Sequence, residues 1–525
     1  MRVPFLQLFM VNLTTSVRDT VSEQPNDLAI VTDDRELTYE DLWAQISGFA
    51  AGLAERDVGV DDRVAVYLPN TPEFVVTFHG TLAAGGVVVP MNPQYRTREI
   101  SHLLADSGAK VVVTLPDLVP FVEEVRDETD VEHIVSLGPG DATFFGDFLA
   151  EGEGDVESRE DDDLAVQPYT SGTTGTPKGV ELTHRNLTSN AHGAAALAPG
   201  GVGPDDSLLG VLPLFHIYGM TVCMNATLFS GGTFYPLPTW DAQQALSLIQ
   251  DAELTMMHGV PAMYNDIINQ PNAAEFDLSS IRMAGVGGGG IPIEVLRRFE
   301  ELYDAKIYEG YGLTETSPVT HFNTPDKGRR VGSIGRTIDD VSARIVTDDF
   351  EELPPVEKGP LAEDDAELDD VTGEIVIAGP NVMRGYASLP DATTDAFTEA
   401  DGKRWFHTGD IGYWDEDGFF YVVDRKKHMI NTAGYNVYPR EVEELLFEHP
   451  AVADVAVVGI PDERRNETVK AFVVLTPDAD VTEDEIQQFC LDNLAAYKHP
   501  REVVFVDELP RTTTGKVQKF ELQQQ

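Results

Sequence analysis

Cysteine is nearly missing from this chain: 525 residues contain two, Cys223 and Cys490. Two thiols cannot build a disulfide framework, so a reducing cytoplasm is the expected compartment. Basic residues are scarce as well, 37 Lys and Arg against 89 Asp and Glu, for a formal net charge of −52. With no basic stripe to neutralise phosphates, a nucleic-acid partner is not expected. No window reaches the ~18 uninterrupted apolar residues of a membrane span, so no integral membrane segment is expected. The opening Met1 to Thr15 carries a short apolar patch and one Arg, without the length or small-residue cleavage site of a secretory signal. Its residues before Met10 read as an upstream start-codon choice or a loosely packed tail.

What is present points to a folded, multidomain protein. The length exceeds what one compact core holds, and a hydrophobic content of 42% suffices for globular folding. Acidic chains poor in aromatics are often disordered, but this one has regular apolar runs. The expected reading is a folded enzyme whose acidic surface works in concentrated salt, as in a halophile-like proteome. At ~1 M salt the Debye length is ~3 Å, which screens self-repulsion.

Residues 28–160 alternate Val-rich runs (Val64 to Leu68, Gly86 to Pro90, Lys110 to Leu115) with helical periods (Glu40 to Glu55, Glu73 to Ala84, Thr97 to Ser107). Such alternation predicts a parallel sheet with helices on its faces. An acidic connector, Glu151 to Asp163, follows, and the alternation resumes to about residue 310. From Val331 to Val423 short strands and turns predict a small β-rich subdomain, with Glu363 to Asp370 a solvated loop. The last hundred or so residues read as an α+β unit with helices at Pro439 to Glu448 and from Thr482, and strands at Val452 to Gly459 and Val469 to Leu475.

Five segments carry chemistry. Tyr169 to His184, YTSGTTGTPKGVELTH, gathers three Gly, five Thr, one Ser and Lys178. Gly lets backbone approach an anion, hydroxyls and N–H groups donate, and Lys adds a point charge, so the loop reads as a polyphosphate cradle. It is not a Walker P-loop, because Pro177 precedes the Lys and Gly179 follows it; a Ser/Thr-rich surface loop is the plain alternative. Met283 to Pro292, MAGVGGGGIP, is either a tight turn or backbone that lies flat against a planar ligand. In EGYGLTETSP, Glu309 to Pro318, a Glu near a phosphate cradle suits Mg²⁺, which takes hard oxygens and few carboxylates; alone it would be a surface charge. In WFHTGDIGYWDEDGFFYVVDRKK, Asp410 is an acid on a turn suited to sugar hydroxyls, or an ordinary turn acid, and Arg425-Lys426-Lys427 is a basic island or a solvated turn. LPRTTTGKVQK puts Lys516 on a Thr/Gly turn that could swing into a cleft, or on a frayed tail. His216, in Phe215-His216-Ile217-Tyr218-Gly219, would by itself be a packing residue.

The order YTSGTTGTPKG, YGLTETSP, HTGDIGYWDEDGFFYVVDRKK, GYNVYPREVE and PRTTTGK resembles the adenylate-forming superfamily of acyl-CoA synthetases, luciferases and peptide-synthetase adenylation domains. The resemblance spans roughly residues 15–519, and the stretch from Gly434 to Leu475 is most similar to long- and medium-chain fatty acyl-CoA ligases. It implies an α/β fold: a large N-terminal domain, residues 1–424, of two doubly wound α/β subdomains plus a small β-rich barrel, then a small mobile α+β domain, residues 425–525. It also implies two half-reactions. A carboxylate attacks the α-phosphorus of Mg-ATP to give acyl-AMP and pyrophosphate; the thiol of coenzyme A then gives acyl-CoA and AMP.

Carried over by motif, Thr170, Ser171, Gly172, Thr173, Thr174 and Lys178 would hold the β- and γ-phosphates, and Glu315, with Thr170, the Mg²⁺. Gly289, Gly290 and Ile291, with Glu309, Gly310, Tyr311, Gly312 and Thr314, would line the adenine and α-phosphate. Asp410 and Arg425 would grip the ribose. Lys516, with His216 and Thr173, would be catalytic, Lys516 bridging the attacking carboxylate and the α-phosphate. Lys427 matches the hinge, and Ala433, Gly434 and Tyr435 would face the coenzyme A tunnel. The acyl pocket would be His216, Tyr218, Gly219, His258, Val260, Val286 and Gly312. Its apolar lining favours an apolar tail, and no acid near Ile217 stands ready for a substrate ammonium. Asn431 and Asn436 stand where luciferases and acetyl-CoA synthetases respectively carry a cation, which weakens both those readings.

The expected function is therefore a fatty acid:CoA ligase, acting on small molecules in the cytoplasm. A homodimer is compatible with a sequence that fixes no oligomeric state. An aryl acid:CoA ligase shares every ATP motif and differs in pocket shape. A non-catalytic nucleotide-binding regulator would not need Lys178, Glu315 and Lys516 together.

Overall fold

The computed structural model describes residues 12–523, apart from 153, 172–176, 362–367, 426–427, 433–434, 463, 478 and 512–516; at 171, 369, 435–436 and 466 the backbone alone is described. Gly172, Thr173, Thr174, Lys427, Ala433, Gly434 and Lys516 therefore lie outside the described residues.

The first sheet forms where the Val-rich runs fall. Strands Leu164–Val166, Val87–Pro90, Arg63–Tyr67, Ala109–Thr114, His133–Ser136 and Thr143–Phe144 lie side by side in parallel. Runs such as Val111, Val112 and Val113 are wholly buried, as a sheet covered on both faces requires. The intervening helices are started by local chemistry. Thr38 accepts from the Asp41 N–H while Asp41 returns a bond to the Thr38 N–H. Thr71 caps a helix opened by Pro72. Helix Thr97–Ser107 stops at Gly108, whose φ of 66° is left-handed.

A second sheet holds strands Ile307–Gly312, Met283–Val286, Met256–Gly259, Ser207–Gly210, Thr233–Pro236 and Leu28–Val31 in parallel, with antiparallel strands at each edge. Leu28–Val31 and Glu36–Thr38 precede the first sheet in the chain yet pair in the second. One apolar core, from Leu13 to Phe420, unites both sheets.

The β-rich region is an antiparallel sheet of Ser342–Val346, Gly373–Ala378, Lys403–Trp414, Phe397–Ala400 and Phe420–Arg425. The acidic stretch expected to be a loop ends instead in a helical turn, Leu368–Val371. Gly385–Tyr386 crosses to pair with Pro177–Thr183 of the first sheet. A separate, smaller core from Ile430 to Val503 belongs to the C-terminal α+β domain, built on the hairpin Val452–Asp462 and Asn466–Leu475 with helices Pro439–Phe447 and Glu483–Asn493. No described helix is long and apolar enough to cross a membrane.

Candidate active site

The parallel strands of the second sheet all point their carboxyl ends the same way, and the loops beyond those ends border the crevice in which an open α/β sheet usually takes its ligand. Gly287 to Gly290 follow Met283–Val286, Val260 follows Met256–Gly259, His216 and Tyr218 follow Ser207–Gly210, and Tyr311 and Gly312 end Ile307–Gly312.

Two polar chains cross this crevice. In the first, the Tyr311 hydroxyl donates to Asp410 Oδ2 at 2.5 Å, and Arg425 Nε lies 2.8 Å from Asp410 Oδ1. Asp410 and Arg425 are direct cross-strand partners, which is why residues fifteen apart in sequence meet. Burial and the Asp410 charge raise the Tyr311 pKa well above its ordinary value, so the phenol stays a donor. Burial opposes the Arg425 charge, but Asp410, Tyr311 and Glu315 outweigh it and hold its pKa above the usual value.

The second chain starts at the Gly/Thr segment. Tyr169–Ser171 and Pro177–Thr183 form an antiparallel hairpin with Thr170 opposite Lys178. The Lys178 ammonium sits 5.0 Å from the centre of the Tyr386 ring, a cation–π distance. The Tyr386 hydroxyl donates to Glu315 Oε1 at 3.0 Å, and the Glu315 carbonyl accepts from the Met383 N–H at 2.8 Å. Burial raises the Glu315 pKa, while the Tyr386 hydroxyl and Arg425 pull it back. Glu315 presents one carboxylate at the crevice, a donor set that fits Mg²⁺ completing its shell with substrate phosphate and water.

Glu309, 8% exposed, accepts from the Gly332 N–H at 3.0 Å. Burial, partly offset by Arg440 and the Gly332 amide, pushes it up to about 7. Gly310 and Gly312 are needed for packing: a Cβ would come 2.4 Å from the Phe322 ring in one case and 2.0 Å from the Pro318 carbonyl oxygen in the other. Thr314 opens the single turn Thr314–Thr316, and Gly289 and Gly290 remain exposed beside buried Ile291.

The residues expected on the acyl side are assembled differently. Tyr218 opens a buried π-helix, Tyr218–Asn225. Its hydroxyl lies 3.2 Å from His258 Nδ1 with the two rings edge to face. Burial lowers the His258 pKa to about 4, so the imidazole is neutral near pH 7. Space for these rings is made by missing side chains: a Cβ at Gly285 would lie 2.2 Å from His258 Nδ1, and one at Gly287 3.0 Å from the Tyr218 ring. A Cβ at Gly219 would meet the Pro213 carbonyl oxygen at 2.5 Å. Val260 and Val286 are buried beside them, and His216 accepts from the Tyr218 N–H at 3.3 Å.

Sequence reasoning missed Tyr386, which lies more than two hundred residues beyond Lys178 and ties it to Glu315, and Gly285, whose absent side chain seats His258. Tyr386 stands in no motif, and Gly285 stands in MAGVGGGGIP, where the expected roles are a tight turn or flat backbone against a ligand. The sheet crossing at Gly385–Tyr386 is a long-range pairing with no local signal.

Comparison with known proteins gives the same picture throughout the chain. Residues 17–387 match the AMP-binding enzyme family and residues 441–516 match the AMP-binding enzyme C-terminal domain. The chain is 35% identical over 537 residues to a long-chain-fatty-acid–CoA ligase of Bacillus subtilis (strain 168), covering 96% of this chain and 93% of that protein. It is 34% identical over 508 residues to a feruloyl-CoA synthase of Amycolatopsis sp, covering 95% and 96%. Among solved structures it is similar to ATP-bound MatB from Rhodopseudomonas palustris (TM-score 0.88, 32% identity, 98% and 99% covered). It is also similar to the anthranilate CoA ligase AuaEII in complex with anthranoyl-AMP (TM-score 0.90, 26% identity, 100% and 98% covered).

Proposed function

Since the chain belongs to the AMP-binding enzyme family and is an acid–thiol ligase, we propose that it activates a fatty acid with ATP and transfers the acyl group to coenzyme A. The observation that carries this reading is the chain Lys178–Tyr386–Glu315, which ties the Gly/Thr hairpin to the Glu315 turn beside Tyr311, Asp410 and Arg425. It brings a cation, a lone carboxylate and a sugar-sized polar pair to one crevice.

In the proposed mechanism, ATP lies along the crevice with its purine toward Gly289, Gly290, Glu309 and Gly310 and its ribose on Asp410 and Arg425. Its outer phosphates meet Lys178 and the Gly172 to Thr174 segment. Mg²⁺, when bound, would be held by Glu315 and supply positive charge to the phosphates. The acid enters past His216 with its tail against Tyr218, Gly219, His258, Val260, Val286 and Gly312. Its carboxylate attacks the α-phosphorus, a bond to that phosphorus forms, and the bond to pyrophosphate breaks. The anions crowd together here, so positioning and electrostatic clamping carry the catalysis, with Lys516 as the proposed clamp on carboxylate and α-phosphate. The C-terminal domain, from Arg425 onward, then rotates about Lys427 and brings Ala433, Gly434 and Tyr435 to the pantetheine. The thiol displaces AMP from the acyl carbon. Cytoplasmic location and function in concentrated salt belong to the same proposal.

The 35% identity to the long-chain-fatty-acid–CoA ligase favours a fatty acid, and the likeness to the feruloyl-CoA synthase and the anthranilate CoA ligase favours an aryl acid as the second reading. A panel from acetate to palmitate, with benzoate and cinnamate, read by pyrophosphate release in molar salt, separates them. The fatty reading requires the highest kcat/KM with a chain acid; a maximum at cinnamate or benzoate selects the aryl one. No release with any acid would remove both.

A further inference from the structure

Arg440 lies in the GYNVYPREVE segment but has been given no role above; it stands in the first turn of helix Pro439–Phe447 of the C-terminal domain. Its guanidinium nevertheless reaches the glycine strip of the N-terminal domain. A Cβ built on Gly290 would lie 2.8 Å from Arg440 Cζ, 2.8 Å from Nη2 and 3.1 Å from Nη1. Three nearly equal distances mean that the guanidinium plane lies flat over Gly290. Gly288, Gly289 and Gly290 stay exposed with Arg440 in place, so the group leaves the strip open to a ligand.

The side chain is held on several sides. Nε donates to Glu444 at 2.8 Å and Nη1 to the Val422 carbonyl at 3.2 Å. The Asp424 carboxylate accepts from the Arg440 N–H at 3.2 Å and, through its other oxygen, from the Arg425 N–H at 2.6 Å. One buried carboxylate therefore sets the backbone of both arginines, Arg425 toward Asp410 and Arg440 toward Gly290. The charge of Arg440 also bears on buried Glu309.

We propose that Arg440 is a nucleotide-positioning residue delivered by the C-terminal domain: its planar guanidinium forms one wall of the purine slot, with the Gly288 to Gly290 backbone as the adjoining surface. A flat, weakly hydrated cation stacks on a purine face in a way an ammonium cannot. This inference rests on the nucleotide reading of the crevice given above.

Calorimetric titration of AMP tests it without turnover. Arg440→Ala should weaken the AMP Kd about tenfold, the scale of one lost stacking partner. Arg440→Lys should fail to restore it, and Gly290→Ala, whose Cβ displaces the guanidinium, should weaken it as well. The Kd for inorganic pyrophosphate, which has no purine, should move far less. An AMP Kd that is unchanged or tighter in Arg440→Ala, full rescue by lysine, or an equal shift for pyrophosphate would each overturn the role. If the unaltered protein binds no AMP, the nucleotide reading itself falls; if it binds AMP and Arg440→Ala binds as well, this inference alone falls.

Discussion

The two halves of the crevice are held by different forces. On the proposed nucleotide side, position comes from charge and hydrogen bonds: Tyr311 to Asp410 to Arg425, and Lys178 to Tyr386 to Glu315. On the acyl side it comes from shape: Gly285 and Gly287 leave room for His258 and Tyr218, and the one polar contact between those rings joins two neutral groups at neutral pH. A polyanion needs ionic partners of fixed type. A hydrocarbon needs a volume, and many side-chain sets can enclose the same volume. The chemistry of the first half is therefore written in residue identity, and the selectivity of the second in packing.

The contrast can be broken most sharply at Lys516. Lys516→Ala should lower adenylation about 10²–10³-fold, the usual worth of one well-placed transition-state donor, while supplied acyl-AMP still becomes acyl-CoA. Equal loss in both half-reactions would contradict the rotation of the C-terminal domain.

A second test uses pH. Glu309 has its carboxyl raised from 4.5 to about 7, so the folded state binds that proton more tightly than the unfolded one. The contribution of Glu309 to stability is then full below about 4.5, is lost as pH rises toward about 7, and is absent above it. The shift corresponds to about 3 kcal/mol, and Glu309→Gln should flatten the urea-midpoint profile across that window. An identical profile for the variant would show that the burial of Glu309 is relieved by other means.

Gly285→Ala addresses the opposite half. Its Cβ would fall 2.2 Å from His258 Nδ1, so the imidazole must shift, at about 1–3 kcal/mol in stability. The kcat/KM ranking of the acid panel should change while the KM for ATP moves less than about twofold. A changed ATP KM with an unchanged acid ranking would undo the division into halves.

The smallest effect expected is that of salt on the nucleotide side. With a net charge of −52, lowering salt from molar to ~50 mM lets the negative field reach beyond ~10 Å. The KM values for ATP, acid and coenzyme A should rise together. Full activity at ~50 mM would count against an acidic surface tuned to concentrated salt.

The legibility of this protein in its sequence follows the same line. The alternation of Val-rich runs and helical periods located the first sheet, with ends displaced by one residue in places such as Arg63–Tyr67. It missed that Leu28–Val31 leaves its neighbours for the second sheet and that Gly385–Tyr386 returns to the first. Those pairings join segments far apart in the chain, where local periodicity carries no information. Asp410 and Arg425 could be named from their motif, and their cross-strand pairing explains why they meet. Tyr386 stands in no motif, and Arg440, though inside GYNVYPREVE, had no role assigned there, because each reaches its neighbours through tertiary placement. The residues proposed for the acyl pocket read in the sequence only as mostly small or apolar; that Gly285 seats His258 depends on an absent side chain.

The central claim is that a carboxylate is activated at the α-phosphorus of ATP in this crevice. Labelling the carboxylate oxygens of the best acid with ¹⁸O and running one full turnover to the CoA thioester tests it directly. One labelled oxygen should appear in the phosphate of AMP and none in pyrophosphate. Label in inorganic phosphate or pyrophosphate, or unlabelled AMP beside a formed thioester, would contradict it.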